Sequence, residues 1–376
     1  MDLSFNQDQE LINNSVEKFI AESYDSETRR KIVNSKNGYS EDIWKQFAEL
    51  GWLALPFKEE DGGFGGDLID LMIIMKAFGK GLVVEPYISS VVLSGGLLSL
   101  CPNSDLRSNL IKEIIEGQSL ISFAFSEPNS RFNLSDVSTT AEFKKDKWLI
   151  NGHKSVVFGV GQANYVIVSA RTSGDRMHND GISLFCIKSD VNGLNIQDYQ
   201  TVDGFRAGEV ILNNVEVPKE NLISVENNAN QIISEAIYKT LVATNAEASG
   251  IMQKMYEMTL EYIKTRKQFG VHIGRFQVIQ HRTVEMLILS DEMDSLSNMS
   301  ALKGYKTLNG KKAIISGKIN IGLGGRKLGQ EAVQLHGGMG VTDEMEIGQY
   351  FKRLTMLDTF LGNSDFYLNE FSQLGE

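Results

Sequence analysis

A short basic and aromatic segment, residues 266–270 (Arg-Lys-Gln-Phe-Gly), separates two long stretches that have the apolar spacing of helices. A glycine fits the end of a helix, because it adopts a left-handed backbone without a steric penalty. The segment predicts a turn that presents Arg266 and Phe269 to an anionic, planar ligand, with Gln277 as a hydrogen-bonding side chain at the start of the next helix. The alternative is a plain corner between helices, where basic side chains favour the helix dipole.

A second segment, residues 334–340 (Gln-Leu-His-Gly-Gly-Met-Gly), closes a third helical stretch. Grouped glycines are typical of a helix end followed by a loop, but they also let the backbone approach a phosphate or a sugar closely. This second segment therefore favours the ligand-binding interpretation of the first.

Three regions with different patterns must position these segments. Residues 6 to about 117 have a helical pattern, with start signals at Ser40 and Asp67. From about residue 119 to about 221, short β-branched and aromatic runs alternate with Asn, Gly and Asp, and Asn151-Gly152 predicts a hairpin turn. The helical pattern then returns, and we expect helices at about 231–265, 275–303 and 308–336, with shorter ones near 342–352 and 363–375.

These patterns predict a mainly α fold with a central β-domain. The domain boundaries follow the changes of pattern, with an N-terminal all-helical domain at 1–118, a middle β-domain at 119–225 and a C-terminal helical bundle at 226–376. A chain of 376 residues with 42% hydrophobic content can bury the cores of two or three domains.

Charge and hydropathy exclude several classes of partner. Lys+Arg 37 against Asp+Glu 48 gives a net charge of −11, which discourages binding to nucleic acid or to an anionic membrane. No apolar run approaches the roughly 18 residues that cross a bilayer, and the N-terminus lacks a signal pattern. We expect a cytoplasmic protein in which any phosphate is met by local positive charge.

The cysteines and histidines predict neither a disulfide nor a metal site. Cys101 and Cys186 lie far apart with no CxxC spacing, and the five histidines form no HExxH or other ligand pair. We expect two buried thiols and no metal.

The two glycine-containing motifs, in their order and spacing, resemble the C-terminal half of the acyl-CoA dehydrogenase family. Residues 49–66 resemble the helical domain of that family, and Ser126-Glu127-Pro128 resembles its Thr-Glu-Pro flavin strand. Within the family, the chain is similar to the small subunit of bacterial heteromeric enzymes of the pimeloyl-CoA dehydrogenase type.

The resemblance implies an N-terminal helical domain, a small β-barrel or sandwich and a C-terminal four-helix bundle. It implies a flavoprotein enzyme that oxidises an acyl-CoA thioester to the 2-enoyl-CoA with FAD, works as a dimer or tetramer, and passes electrons to an electron-transfer flavoprotein. A carboxylate removes the α-proton while the β-hydride passes to the flavin. In such enzymes one subunit holds the isoalloxazine and carries the base, and its neighbour supplies the Arg/Phe turn and the Gln-x-x-Gly-Gly loop.

The half of the site that a neighbour donates is intact in this chain. The resemblance assigns FAD contacts to seven residues: Arg266, Gln268, Phe269, Gln277, Gln334, Gly337 and Gly338.

The half that a subunit keeps for itself is altered. The catalytic glutamate position falls on Leu361, and the alternative glutamate position used by some members falls on Thr240. The Gly-x-Gly-Ser-Asp run after the flavin strand is replaced by residues 129–133, and the Trp-x-Thr flavin platform by Val156-Val157-Phe158. We therefore assign no catalytic residue, and we interpret the chain as a base-deficient small subunit that completes a partner's FAD site.

Three alternatives remain open in the sequence. The first is a self-sufficient homo-oligomeric dehydrogenase with a relocated base, Glu247 or Asp365, which lie one or two helical turns from the lost positions. The second is a non-catalytic structural subunit. The third is a flavin-dependent oxygenase on the same fold, which needs no carboxylate base.

Overall fold

The computed structural model describes residues 4–342 and 345–375. Its contacts divide the chain into two compact units. The bundle unit comprises Met1–Lys31, Leu68–Val83 and Leu241–Glu376, and the sheet unit comprises Ile32–Asp67 and Val84–Thr240. The three-domain division expected from the sequence follows different boundaries and stays a prediction.

The first third of the chain is helical, as the sequence predicts. Its helices are α1 (Gln7–Ser23), α2 (Ser26–Val33), α3 (Glu41–Glu49), α4 (Leu68–Gly81), α5 (Gly96–Leu100) and α6 (Asp105–Ile115), with a π-helical segment at Tyr87–Gly95. The predicted start at Ser40 is confirmed, because its hydroxyl accepts a hydrogen bond from the Ile43 N–H at 3.3 Å.

A seven-stranded sheet forms the middle of the chain. Its strands are β1 (Ile121–Ala124), β2 (Thr140–Lys144), β3 (Lys147–Phe158), β4 (Tyr165–Arg171), β5 (Ile182–Lys188), β6 (Leu194–Gln200) and β7 (Arg206–Pro218). The order is β1-β4-β2-β3-β7-β6, and β5 pairs with β4. One face of the sheet buries a core that includes Trp148, Phe185 and Val210.

The predicted hairpin turn at Asn151-Gly152 is wrong. Strand β3 runs through both residues, and the turn between β2 and β3 is made by Lys145 and Asp146, both with positive φ. Gly152 instead lies at a shift of register, where a Cβ would come within 2.3 Å of Thr139 Oγ1. The glycine therefore permits a close approach of backbone to side chain inside the sheet.

Long helices return after the sheet. They are α7 (Asn230–Thr265), α8 (Gln277–Lys303), α9 (Leu308–Asn320), α10 (Arg326–His336), α11 (Ile347–Thr359) and α12 (Ser364–Gln373), with a π-helical segment at Ile321–Gly325 between α9 and α10. The predicted helix near 342–352 begins later than expected, at Ile347, and residues 343 and 344 lie outside the described part. Four methionines that fill the core of this unit are fully buried: Met252, Met255, Met286 and Met293.

The fold class predicted from the sequence is confirmed: along the chain, a helical region is followed by a sheet and then by a second helical region. Both cysteines are buried, and burial raises the pKa of each thiol to about 12. Within residues 4–342 and 345–375, no helix is long and apolar enough to span a bilayer.

Candidate cofactor-binding site

The segment at 266–270 forms the tip of a small hairpin. Helix α7 ends at Thr265, and strands β8 (Lys267–Gln268) and β9 (Val271–His272) pair across Phe269 and Gly270. Both turn residues have positive φ, 52° and 79°, which is the conformation of a two-residue hairpin turn. The Phe269 side chain is 92% exposed, and its ring lies edge-on to that of Phe276, with ring centroids 6.3 Å apart. The exposed ring is available for contact with a ligand or a partner chain.

The polar residues predicted to bind the cofactor are also exposed. Arg266, Gln268, Gln277 and Gln334 all lie at the surface of the bundle unit. Over the described ranges, none of their side chains makes a hydrogen bond or an ion pair within the chain. The Arg266 guanidinium is therefore available to an anionic group, for which its fork geometry is well suited.

The glycine loop follows α10 and leaves open space. Gly337 has a φ of 61°, and a Cβ placed on Gly337 or Gly338 would meet no atom within 4 Å. The backbone here can come close to a ligand without a side chain between them.

A ring stack brings the hairpin and the glycine loop together. Tyr262 lies one helical turn before Arg266, and His336 directly precedes Gly337. Their ring centroids are 4.4 Å apart at an angle of 26°, and the Tyr262 hydroxyl donates a hydrogen bond to the His336 carbonyl at 3.3 Å. The two motifs, about 70 residues apart in sequence, are therefore linked by a contact between residues that precede them.

The two positions where the resemblance places a catalytic carboxylate hold no proton acceptor. Leu361 is buried and has a φ of 61°, an uncommon conformation for a leucine. Thr240 is fully buried, and its hydroxyl donates to the Ala236 carbonyl at 2.8 Å. A strained backbone at Leu361 is a feature that clusters at active sites, but the side chain it carries is aliphatic.

The turn that carries Leu361 is held by a buried lysine. Lys318 Nζ donates to the carbonyls of Leu357, of Asp358 at 3.0 Å and of Phe360 at 2.8 Å. Burial lowers the pKa of Lys318 to about 7, against the opposing effect of the Asp358 carboxylate. These hydrogen bonds hold the turn in place, although it carries Leu361 instead of a glutamate.

Neither Glu247 nor Asp365 has the surroundings of a relocated catalytic base. Both oxygens of Glu247 accept from Arg353, from Nε at 2.6 Å and from Nη2 at 2.9 Å, and both side chains are buried. A carboxylate engaged in this way is not free to take a proton. Asp365 is exposed in the first turn of α12, behind the Asn363 cap, where a carboxylate stabilises the helix.

In the sheet unit, Glu127 of the predicted flavin strand forms a buried ion pair. Lys154 Nζ lies 2.8 Å from Glu127 Oε1, and the same carboxylate accepts from the N–H groups of Ser138 at 2.8 Å and Thr139 at 3.0 Å. Burial alone would raise the pKa of Glu127, but the Lys154 charge and these hydrogen bonds bring it down to about 2. Burial lowers the pKa of Lys154 to about 8.

We expect Glu127→Gln to destabilise the chain by about 3–5 kcal/mol at pH 7, because it leaves Lys154 buried without a counter-charge. The folded-state pKa of Glu127 lies below its ordinary value of 4.5, so the stability that it contributes is present above about pH 4.5 and is lost as the pH falls toward 2. Urea unfolding between pH 7 and pH 3 should therefore show a steeper acid loss in the wild type than in Glu127→Gln. Glu142→Gln, at an exposed pair on β2, is the matched control. Equal acid slopes for the wild type and Glu127→Gln would contradict the assignment.

The positions of the predicted flavin platform present a different surface. Val156 is 44% exposed with a φ of 52°, a true outlier for a β-branched residue, and it lies where β3 shifts register against β7. The Val156 N–H donates to Glu209 at 3.3 Å, and Glu209 also contacts His153 at 2.8 Å and Tyr199 at 3.1 Å. The Val156 N–H is thus bonded to the Glu209 carboxylate, and Val156 stands where the family motif has tryptophan.

Comparison with known proteins identifies the family. The chain matches the N-terminal domain of acyl-CoA dehydrogenase at residues 6–118, the middle domain at 122–215 and the C-terminal domain at 231–372. The chain belongs to the acyl-CoA dehydrogenase family. The class predicted from the sequence, an FAD-dependent flavoprotein oxidoreductase, is confirmed by this membership.

The relatives described next have low sequence identity to the chain but match it over nearly its whole length. The chain is 26% identical to the "Probable acyl-CoA dehydrogenase YngJ" of Bacillus subtilis (strain 168) over 371 residues, which covers 97% of each chain. It resembles the structure titled "FAD complex of PigA", with a TM-score of 0.91 and 22% identity over 99% of this chain and 98% of that one. It also resembles a chain of the ChsE4-ChsE5 complex from Mycobacterium tuberculosis, with a TM-score of 0.89 and 19% identity over 99% and 98% of the two chains. At these identities the solved structures show the fold alone.

The residue types of the chain suit one part of FAD better than the other. In the described part of the chain Arg266 has no side-chain partner, Phe269 is exposed and Gly338 has open space beside it, and these features suit a pyrophosphate and its adenosine. In the sheet unit, Val156 provides no aromatic platform for a flavin, and in the bundle unit Leu361 provides no carboxylate. The two halves of the candidate site thus differ in the residue types that they present.

Proposed function

We propose that the chain is the small subunit of a heteromeric acyl-CoA dehydrogenase and that it completes the FAD site of a larger partner subunit. The reaction is the α,β-dehydrogenation of an acyl-CoA thioester to the 2-enoyl-CoA. FAD, when bound, supplies the hydride acceptor, and an electron-transfer flavoprotein takes the electrons onward.

The contrast between the two half-sites carries this proposal. All seven residues assigned to the donated half are exposed on the bundle unit, and Phe269 is 92% exposed. The positions of the retained half, Leu361 and Thr240, are buried and carry no carboxylate. Loss at one half and retention at the other is expected when selection maintains only the contacts that serve a partner's cofactor.

The roles of the exposed residues follow from their chemistry. Arg266 neutralises the pyrophosphate, which matters in a chain of net charge −11 because the overall field repels anions. Phe269 covers a planar part of the cofactor and excludes water from it. The amides of Gln268, Gln277 and Gln334 orient the polar edges, and Gly337-Gly338 lets the backbone approach. Removal of the α-proton is the task of the partner's carboxylate.

Two of the family relatives support this assignment without deciding it. One solved complex is named for two different proteins, ChsE4 and ChsE5, and another solved relative is described as an FAD complex. A chain with this fold therefore exists in a two-protein assembly and in an FAD-bound state.

The proposal is tested by flavin stoichiometry. The chain is purified alone and together with the large subunit, and bound FAD and acyl-CoA-dependent bleaching of the flavin are measured per chain. We expect little FAD and no bleaching in the lone chain, and both in the complex. Arg266→Ala in the complex should release most of the FAD, whereas an unchanged FAD content would favour a purely structural subunit.

Leu361→Glu is expected to leave the lone chain without bleaching. A glutamate at this turn restores a carboxylate, but the platform at Val156 still lacks its aromatic side chain, so no flavin is in place to be reduced. The measurement is the flavin absorbance of the lone chain after addition of saturating acyl-CoA. Leu361→Gln is the matched control for polarity at a buried position. A lone Leu361→Glu chain that bleaches would mean that the chain's own flavin site is intact.

A further inference from the structure

The Tyr262–His336 stack lies directly behind the exposed cofactor contacts. The backbone N–H of Arg266 donates to the Tyr262 carbonyl at 2.8 Å, so Tyr262 belongs to the last turn that fixes the start of the hairpin. On the other side, His336 ends α10 and Gly337 begins the loop. The stack is therefore a contact between the end of α7 and the end of α10.

The imidazole is fixed in one tautomer. Its Nδ1 lies 2.9 Å from the Ala332 carbonyl and therefore carries the proton, since a carbonyl can only accept. Burial lowers the pKa of His336, which keeps the ring neutral. Its Nε2 is buried without a hydrogen-bond partner in the described part of the chain. A buried nitrogen without a hydrogen bond costs stability, so His336 contributes less to the core than an apolar side chain of similar size would.

The contribution of the Tyr262–His336 stack is geometric. His336 is 2% exposed and Tyr262 is half-buried, so both rings are less exposed than the residues assigned to the cofactor. The ring contact and the hydrogen bond from the Tyr262 hydroxyl to the His336 carbonyl together set the separation between the Arg266 turn and the Gly337 loop. A dinucleotide that touches both segments is sensitive to this separation, because misplaced contacts lose affinity quickly.

We propose that Tyr262 and His336 are positioning residues for the partner's FAD: they hold the Arg266 hairpin and the Gly337-Gly338 loop at the spacing that one dinucleotide requires. This inference rests on the proposed function, since it needs the donated half-site to be used. The residues touch each other and the backbone, and the cofactor is held by the segments that they connect.

The test uses the complex of this chain with its large subunit. The dissociation constant of FAD is measured by flavin fluorescence after removal and re-addition of the cofactor. The visible circular dichroism of the bound flavin reports changes in the protein environment of its ring. Tyr262→Leu should raise the dissociation constant about tenfold and change the flavin spectrum, because it removes both the stack and the hydrogen bond. Tyr262→Phe keeps the stack and should recover most of the affinity, to within about threefold of the wild type.

A matched control separates positioning from general packing. Tyr256→Leu removes another partly buried tyrosine of α7, which packs against the bundle core and has no contact with His336 among the described contacts. It should leave FAD affinity and the flavin spectrum near wild type. Equal losses from Tyr256→Leu and Tyr262→Leu, or a wild-type dissociation constant and spectrum in Tyr262→Leu, would overturn the inference. If Arg266→Ala also leaves FAD bound, the proposed function fails; if only Arg266→Ala releases FAD, the proposed function stands and the positioning role fails.

Discussion

Gly338→Leu is expected to abolish FAD retention in the complex while the lone chain stays as stable as the wild type. The backbone of Gly338 lies outside the left-handed region, so a side chain adds no torsional strain there. A Cβ at this position meets no atom within 4 Å in the lone chain. A leucine would instead fill the space in which the proposed function places the cofactor.

The expected size of this effect is large. We expect the dissociation constant of FAD in the complex to rise at least about 100-fold, since a side chain in a tight contact excludes the ligand rather than weakening one interaction. The thermal midpoint of the lone chain should stay within about 2 °C of the wild type, as expected for a surface substitution. Flavin content after gel filtration and scanning calorimetry provide the two measurements.

Gly338→Ala serves as the graded control for Gly338→Leu. A single methyl group occupies less of the open space, so its FAD affinity should fall between those of the wild type and Gly338→Leu. Full FAD occupancy in Gly338→Leu would show that this loop does not face the cofactor, and it would remove Gly338 and Gly337 from the site.

Arg353→Met is expected to cost about 3–5 kcal/mol of stability, because it leaves the Glu247 carboxylate buried and unpaired. The two side chains are 4% and 6% exposed, and the pair is bidentate, so solvent cannot replace the guanidinium. Urea unfolding of the lone chain at pH 7 is the measurement.

The double variant Glu247→Leu/Arg353→Met identifies the origin of the loss. Removing both charges should restore most of the stability, since a buried ion pair is often replaceable by apolar groups of similar volume. Lys31→Met, at an exposed pair with Glu27, is the control and should change stability by less than about 0.5 kcal/mol. An unchanged stability in Arg353→Met together with lost bleaching in Glu247→Gln would instead restore Glu247 as a candidate base.

Local patterns in the sequence determined the elements and the two binding segments. Apolar spacing and start signals such as Ser40 predict helices well, because both depend on neighbours within about four residues. The Arg266 turn and the Gly337 loop were recognisable for the same reason, since their residue types and short spacing carry the chemistry. The loss of a carboxylate at Leu361 was likewise readable from one position.

Pairing between distant segments was decided by the tertiary structure. The Asn151-Gly152 prediction failed because β3 pairs with β2 and β7 through both residues. The pairing of β3 with these strands outweighs the local preference of Asn-Gly for a turn. Lys154 and Lys318 gave no sequence signal of burial, because a lysine is buried only when a carboxylate or several carbonyls from elsewhere meet it.

Glu247 shows the same limit for function. In the sequence, Glu247 lies on the same helix face as Thr240 and is therefore a candidate base. Arg353, which pairs with it, lies 106 residues further along the chain. Only the packing of α11 against α7 brings the guanidinium to it and removes that use. Chemistry that depends on which side chains a group meets is set by long-range packing, whereas residue type and short spacing are already fixed in the chain itself.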